Sequence, residues 1–278
     1  ATTLLCETAM AISGFSVSSR LGYSGLNLGL FNEDLCDDFI IGARFEKIDG
    51  VNNVGVARLV YGWSDDPQRG CPDRPTGIAF TQNKARDAYF GYAMAKGRFM
   101  GTDRVDVAIS APRTRNARNS PVGALHLIDG EWLAALPTEN IPTDGSAMTI
   151  HVFDDTTPVM TEYGRSNDEQ FGYGLGAMGD LVFISFAYRQ RDDETYVGGV
   201  EILRVVNGGI EEAAFIAGEP SPVPNSRAMP FAQSIAIDPF SGRVAVSARE
   251  GSGSGIATGS VYLFELTSLA DGLKRFTQ

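Results

Sequence analysis

The sequence predicts an all-β fold built from a repeated unit of a few antiparallel strands, and three observations predict it. A Phe-Gly-Tyr triplet recurs along the chain, and each copy is followed by an apolar run that ends in small residues. At a near-constant distance beyond that run stands a glycine that opens a second apolar run. Periodicity of this kind decides the architecture, because a missed repeat misassigns the whole fold.

The triplet is Phe90-Gly91-Tyr92, repeated as Phe171-Gly172-Tyr173 and in weaker form as Leu21-Gly22-Tyr23 and Phe231-Ala232-Gln233, with starts 69, 81 and 60 residues apart. A unit of about 60 residues carrying loop insertions accounts for all four, and that size suits a four-stranded propeller blade. The first apolar runs are FIIGA (39–43), VAISA (107–111), LVFISF (181–186) and VAVSA (244–248). The second runs open at Gly55, Gly123, Gly199 and Gly259. From the small residue to that glycine is 13 residues at Gly42–Gly55 and Ser110–Gly123, 14 at Ser185–Gly199 and 12 at Ser247–Gly259.

Within each unit, short runs rich in Val, Ile, Phe and Leu and bounded by Gly, Asp, Asn and Pro are strand and turn signals. Helical periodicity is scarce; EEAAFIAG (211–218) and TSLADGLKRF (267–276) read equally as strand edges. The unbroken apolar character of FIIGA and VAISA predicts strands covered on both faces, as in stacked sheets. Radial closure hides faces and edges together, so the expected architecture is one β-propeller domain of about four to five four-stranded antiparallel blades, preferred over a sandwich. The units fall at 15–80, 81–160, 161–222 and 223–268, and residues 1–14 are read as a strand that closes the ring.

Hydrophobic residues at 43% and charged residues at 21% of 278 place the chain among folded globular proteins, within reach of a single all-β domain. A formal charge of −11 excludes general affinity for nucleic acid or anionic membrane, both of which need clustered Lys and Arg. Arg113, Arg115 and Arg118 are the only basic cluster and read as a solvated loop tip. No apolar run approaches the roughly 20 residues that cross a bilayer. A chain starting at Ala1 is read as processed, in keeping with secretion. Of the three cysteines, Cys36 and Cys71 sit in polar, turn-rich surroundings and are the favoured pair in an oxidising compartment, with three unpaired thiols as the alternative.

The residues quoted above resemble the FG-GAP repeat of integrin α-chain propellers, in which Phe-Gly, a short strand, an acidic calcium loop, an apolar strand ending Gly-Ala-Pro, and Gly-Ala follow in order. Phe90-Gly91, Ala111-Pro112 and Gly123-Ala124 carry the resemblance best, and it spans most of residues 21–268. It implies an extracellular protein, secreted or at the cell surface, that works by binding, adhesion or assembly. It also implies a calcium loop at residues 29–39, where Asn32, Asp34 and Asp38 stand at ligand positions and the Cys36 carbonyl adds a fourth oxygen. Leu30 occupies the first ligand position and Leu35 the place of the loop glycine, which favours a solvated acidic turn. The next loop, RFMGTDRVD, keeps only Asp106 in register.

Signs of catalysis are few. His126 and His151 both read as strand residues, and the Gly-rich GSGSGIATGS (251–260) leads into a strand, as a hairpin loop does. Acid pairs at Asp37/Asp38, Asp154/Asp155 and Asp192/Asp193 are the expected turns of an acidic surface, with a propeller hydrolase or lyase as the remote reading. Trp63 and Trp132 head the two insertions, 63–75 and 132–149, and are the candidate ligand contacts if the protein is a carbohydrate-binding lectin. The expected function is non-enzymatic binding or assembly with a protein partner, through loops projecting from the rim.

Overall fold

A computed structural model describes residues 11–64, 68, 70–142, 146–153, 158–167, 169–190, 196–218, 231–248, 259–265 and 274–275. In chain order its elements are β1 (Leu21–Gly29), β2 (Asp38–Ala43), β3 (Val56–Val60), β4 (Thr76–Thr81), β5 (Met94–Gly97), β6 (Asp106–Ala111) and β7 (Ala124–Ile128). A short helix α1 (Gly130–Ala134) follows, then β8 (Glu139–Asn140), β9 (Ile150–Val152), β10 (Val159–Tyr163), β11 (Leu175–Met178) and β12 (Leu181–Gln190). The last are β13 (Tyr196–Val206), β14 (Gly209–Ala217), β15 (Phe231–Asp238), β16 (Arg243–Ala248), β17 (Ser260–Glu265) and β18 (Lys274–Arg275).

The fold is all-β, arranged as four sheets that each take up one repeat. Their strand orders are β1-β2-β3-β4, β5-β6-β7-β10, β11-β12-β13-β14 and β15-β16-β17-β18, antiparallel throughout. The first is extended at β4 by antiparallel β8 and parallel β9. The EEAAFIAG segment lies in strand β14. Two unit limits shift slightly, since β10 straddles residue 160 and β18 lies beyond 268.

Apolar side chains on alternate faces join each sheet to the next. Ile40, Leu59, Ile78 and Phe80 of the first sheet pack on Val107, Ile109 and Ile128 of the second. Ala108, Leu125 and Leu127, on the opposite face of the second sheet, pack on Val182, Ile184 and Phe186 of the third. Phe183, Val200 and Ile202 continue onto Val244, Val246 and Phe264 of the fourth. Hence β6 is buried along its whole length, as the run VAISA predicts, and so is β7; β2 departs from the expectation for FIIGA, with Phe39 exposed and Ile41 half-buried, because the outer face of the first sheet is only partly covered.

The repeated glycines and phenylalanines form the corners between sheets. Phe90 donates its backbone N–H to the Val54 carbonyl at 3.0 Å, and Phe171 does the same to Val122 at 3.1 Å. At each corner the glycine that opens the third strand, Gly55 or Gly123, has positive φ (+87° and +88°). A Cβ there would lie 2.2 Å from the carbonyl oxygen of Phe90 or Phe171. Only glycine allows both the conformation and the approach.

The expected closing strand is only partly within view, because residues 1–10 lie outside the described segments, as does Cys6. Residues 11–14 form no strand. Ile12 and Phe15 pack on the outer face of the first sheet, over the ion pair Arg58–Glu46, which is fully buried at 3.5 Å. Arg58 donates to the Ser13 carbonyl at 2.6 Å and has the Phe15 ring 3.4 Å from its guanidinium; burial lowers its pKa to about 10. A buried charge pair with unsatisfied groups needs such partners, and the N-terminal segment supplies them.

The second insertion also departs from expectation. Rather than projecting from a rim, it folds back along the first sheet, where Ile141 and Met148 are buried against Val56, Val60 and Ala79. Its apolar residues cover a face that no preceding sheet covers. Helix α1 was not legible as an element, although Asp129 caps it through the N–H groups of Glu131 and Trp132.

Cys36 and Cys71 are disulfide-bonded with Cα atoms 5.8 Å apart, tying the β1–β2 turn to the loop before β4. Closing a 35-residue separation is worth about 4 kcal/mol. Reduction with dithiothreitol is therefore expected to lower the free energy of unfolding by about that amount, measured by urea titration, and a Cys71→Ser chain should show the lower value without reductant.

His126 lies on β7 in the core between the first two sheets, its ring 5.6 Å from that of Phe90 and 5.3 Å from that of Phe153. Its Nδ1 meets Thr161 Oγ1 at 3.0 Å, while Nε2 is buried without a partner. Burial pushes its pKa down to about 3. In the unfolded chain the imidazole takes a proton below about 6.5, but the folded core resists until about pH 3. Acid therefore favours the unfolded state across that window. From pH 7 to pH 5 this one group should remove about 2 kcal/mol of stability. The difference between wild-type and His126→Phe urea midpoints at the two pH values isolates it from the acidic groups.

Candidate ligand-binding surface

The residues singled out from the sequence do not converge. Trp63 packs on the outer face of the first sheet and Trp132 against the core between the first and second, so the two indoles serve different clusters. In the 29–39 turn, Asn32 donates its side-chain amide to Asp34 at 2.7 Å, and Asp34 accepts the Cys36 N–H at 2.7 Å. Asp38 is fully buried, its two oxygens accepting the N–H groups of Asn32 at 3.0 Å and Gly62 at 2.8 Å. Burial raises its pKa and these N–H groups oppose the rise.

Asp106 repeats this arrangement in the second unit. It accepts from Phe99 at 2.7 Å and Met100 at 2.8 Å on one oxygen and from Gly130 at 2.9 Å on the other. At the last position of the calcium-type loop, then, the carboxylate is satisfied by backbone N–H groups and pins the turn to the end of the neighbouring strand. Leu181 takes the place in the third unit and Arg243 in the fourth. Among the described residues no group of three or more His, Cys, Asp or Glu is gathered to hold a metal.

Of the acid pairs, Asp37 is exposed and Asp38 buried, while Asp154/Asp155 and Asp192/Asp193 lie outside the described residues, as does most of the Gly-rich loop. His151 sits in β9 and pairs with Phe80 of β4. The most buried carboxylates elsewhere belong to an ion network in the third sheet. Glu169 accepts from Arg189 Nε at 2.8 Å and from the Ser166 N–H at 2.7 Å; Glu201 Oε1 lies 2.6 Å from Arg189 and 3.3 Å from Arg165 without hydrogen-bond alignment. Burial raises the Glu201 pKa, against the pull of Arg189.

What does converge is a set of arginines and tyrosines at the end of the sheets where first strands begin and second strands finish. The tyrosine of each triplet stands there. Tyr23 and Tyr92 have ring centroids 5.1 Å apart, and Tyr92 and Tyr173 4.9 Å, so the three form a row across three sheets. The positive-φ glycine before each, Gly22, Gly91 and Gly172, turns the chain to place it. In the fourth unit Gln233 stands instead. Burial, reinforced by a hydrogen bond with Tyr23, raises the Tyr92 pKa well above the usual phenol value.

One guanidinium group, that of Arg44, lies against this row, and two more, those of Arg20 and Arg113, lie against the adjoining rings of Phe45 and Tyr89. Arg44, just past β2, sits 3.6 Å over Tyr23, 4.4 Å from the Phe45 centroid and 5.0 Å from Tyr92. Arg20 is 4.7 Å over Phe45, and Arg113, just past β6, is 5.5 Å over Tyr89. Phe45 and Tyr89 pack edge to face at 5.0 Å. Among the described residues no carboxylate pairs with any of the three arginines. The Nε atoms of Arg44 and Arg113 are buried and lack a hydrogen-bond partner.

Only part of this surface is visible in the sequence. The tyrosines belong to the repeat, but the arginines do not: Arg44 and Arg113 come from the second-to-third-strand loops of the first two units, and Arg20 directly precedes β1. Arg113 reads as one of three solvated cations, yet it turns back onto Tyr89. Its neighbour Arg115 is exposed and bonds the Asn119 carbonyl at 2.7 Å. The usable signal was equivalence of position, since Arg44 directly follows the Gly42-Ala43 end of one apolar run and Arg113 lies just past the Ala111-Pro112 end of the next.

No known protein family matches the chain, and no curated protein matches it in sequence.

Proposed function

We propose that this chain is a non-enzymatic binding or assembly module, built on an FG-GAP-like scaffold in which the four sheets serve as blades of an integrin-type propeller, working outside the cell. The observation that carries the reading is the Arg20–Arg44–Arg113 surface, cationic and aromatic on an otherwise acidic chain and held by the repeat itself. Serial stacking of the sheets through the glycine corners supports the blade arrangement, and the disulfide suits an oxidising compartment.

The surface lacks the parts of a hydrolytic site. Burial holds the Tyr92 phenol protonated, and the nearest histidine along the second unit, His126, is sealed between sheets. Recognition, not turnover, is what stacked guanidinium groups and phenols do well. Electron microscopy of the native material tests the reading. Blades in a ring or arc, joined to a further protein in a larger assembly, are expected. A monomer that binds a simple sugar saturably, or turns over a glycoside, would replace it with the lectin or the hydrolase.

A further inference from the structure

We infer that the Arg20–Arg44–Arg113 surface docks carboxylate groups carried on an acidic peptide segment of a protein partner. The inference rests on the binding-module reading and names the chemistry that this module recognises.

The first ground is the treatment of arginine elsewhere in the chain. Acidic residues outnumber basic ones 34 to 23, and the arginines packed into the structure find carboxylates: Arg58 with Glu46, Arg104 with Glu33 and Glu131, Arg165 with Glu201 and Glu212, Arg189 with Glu169 and Glu201. Arg20, Arg44 and Arg113 stand together without one among the described residues. Three cations gathered around Phe45 and Tyr89 without a carboxylate make this surface complementary to an anionic ligand.

Geometry narrows the ligand. The Nε atoms of Arg44 and Arg113 are buried, which leaves the two terminal nitrogens of each guanidinium as the edge for a ligand, and that pair matches a planar carboxylate bidentately. The Tyr23 and Tyr92 hydroxyls, bonded to each other, leave one further hydroxyl proton to donate. A sugar instead needs an open aromatic face, and here Arg44 covers Tyr23 at 3.6 Å while Tyr92 is wedged between two tilted rings. The row crosses three sheets, so it suits an extended segment, whose alternate side chains fall on one side at about 7 Å spacing.

Hexaglutamate is the probe, titrated into the full chain by calorimetry in 50 mM NaCl. Saturable binding is expected, weakened at least tenfold by Arg44→Gln and by Arg113→Gln and at least fivefold by raising NaCl to 300 mM. Arg115→Gln should leave it unchanged, and Arg44→Lys should restore only part of the loss, because charge returns without the fork. Each variant is first checked for native circular dichroism; Arg113→Gln, which disturbs one ring contact, keeps the test open if Arg44→Gln fails to fold. Absence of saturable binding, equal binding of hexaglutamine, unchanged affinity in both folded variants, or tighter binding of an oligogalacturonate would overturn the inference. The microscopy above judges the module reading separately, so failure of one is distinguishable from failure of the other.

Discussion

Replacing Gly123 with alanine is expected to cost about 4 kcal/mol or more of stability, enough to unfold a typical domain at physiological temperature. The new Cβ would lie 2.2 Å from the Phe171 carbonyl oxygen and 2.7 Å from its nitrogen, and both are backbone atoms that no side-chain rotation can move. Positive φ of +88° adds the left-handed penalty of about 1–2 kcal/mol for a residue with a Cβ. Relief requires the third sheet to move off the second, which would break the Phe171 N–H bond to Val122 and open the core around Leu125, Phe171 and Ile184. Gly101→Ala is the control. Its φ is +76° but nothing lies within 4 Å of the added carbon, so it should lose only the conformational part, about 1 kcal/mol. Urea titrations of the two variants should differ by about 3 kcal/mol; equal losses would mean that the corner is not under steric constraint.

Asp106→Ala is the second large effect, with an expected loss of about 3–4 kcal/mol. The carboxylate accepts three backbone N–H groups, from Phe99, Met100 and Gly130, and is itself fully buried. Truncation strands these donors where water cannot reach them, and an orphaned buried donor costs about 1–3 kcal/mol. Asp106→Asn keeps one carbonyl acceptor and should lose less than half as much. Thermal melts of both variants decide the matter. An Asn variant as damaged as the Ala variant would assign the stabilisation to charge and not to the geometry of acceptors.

The pairing of Asp106 with Asp38 explains how much was legible in the sequence. Both stand at the final position of an acidic loop, where the resemblance implies a metal ligand, and both spend their oxygens on local backbone N–H groups. A sequence gives the residue and its register but not which hydrogen-bond donors the turn delivers to it. The strands and the four-fold unit were readable because Gly, Phe and apolar runs at fixed spacing each do one local job. Gly55 against Phe90 and Gly123 against Phe171 are the clearest instances.

The insertions and the arginine surface were less readable for a different reason. Ile141 and Met148 look like loop residues until the first sheet offers an uncovered face, and that need arises only from tertiary packing. Arg20 precedes β1, Arg44 follows β2 and Arg113 follows β6, and they meet only because first strands begin and second strands finish at one end of the sheets. Trp63 and Trp132 drew attention as indoles, yet each completes a core. Exposed Val261 and Leu263, on the fourth sheet, mark where the serial burial stops among the described residues.

The corners hold one repeat against the next, and amide hydrogen exchange reads them directly. Phe90 and Phe171 lie outside the strands, so ordinary loop behaviour would exchange their amides in seconds to minutes. Their bonds to Val54 and Val122 cross between successive units and can open only if the sheets part. Protection of these two amides equal to that of the β3 and β7 strand amides is the predicted result. Exchange at the rate of the exposed Asn116–Ser120 turn would contradict it, and with it the stacking of the repeats.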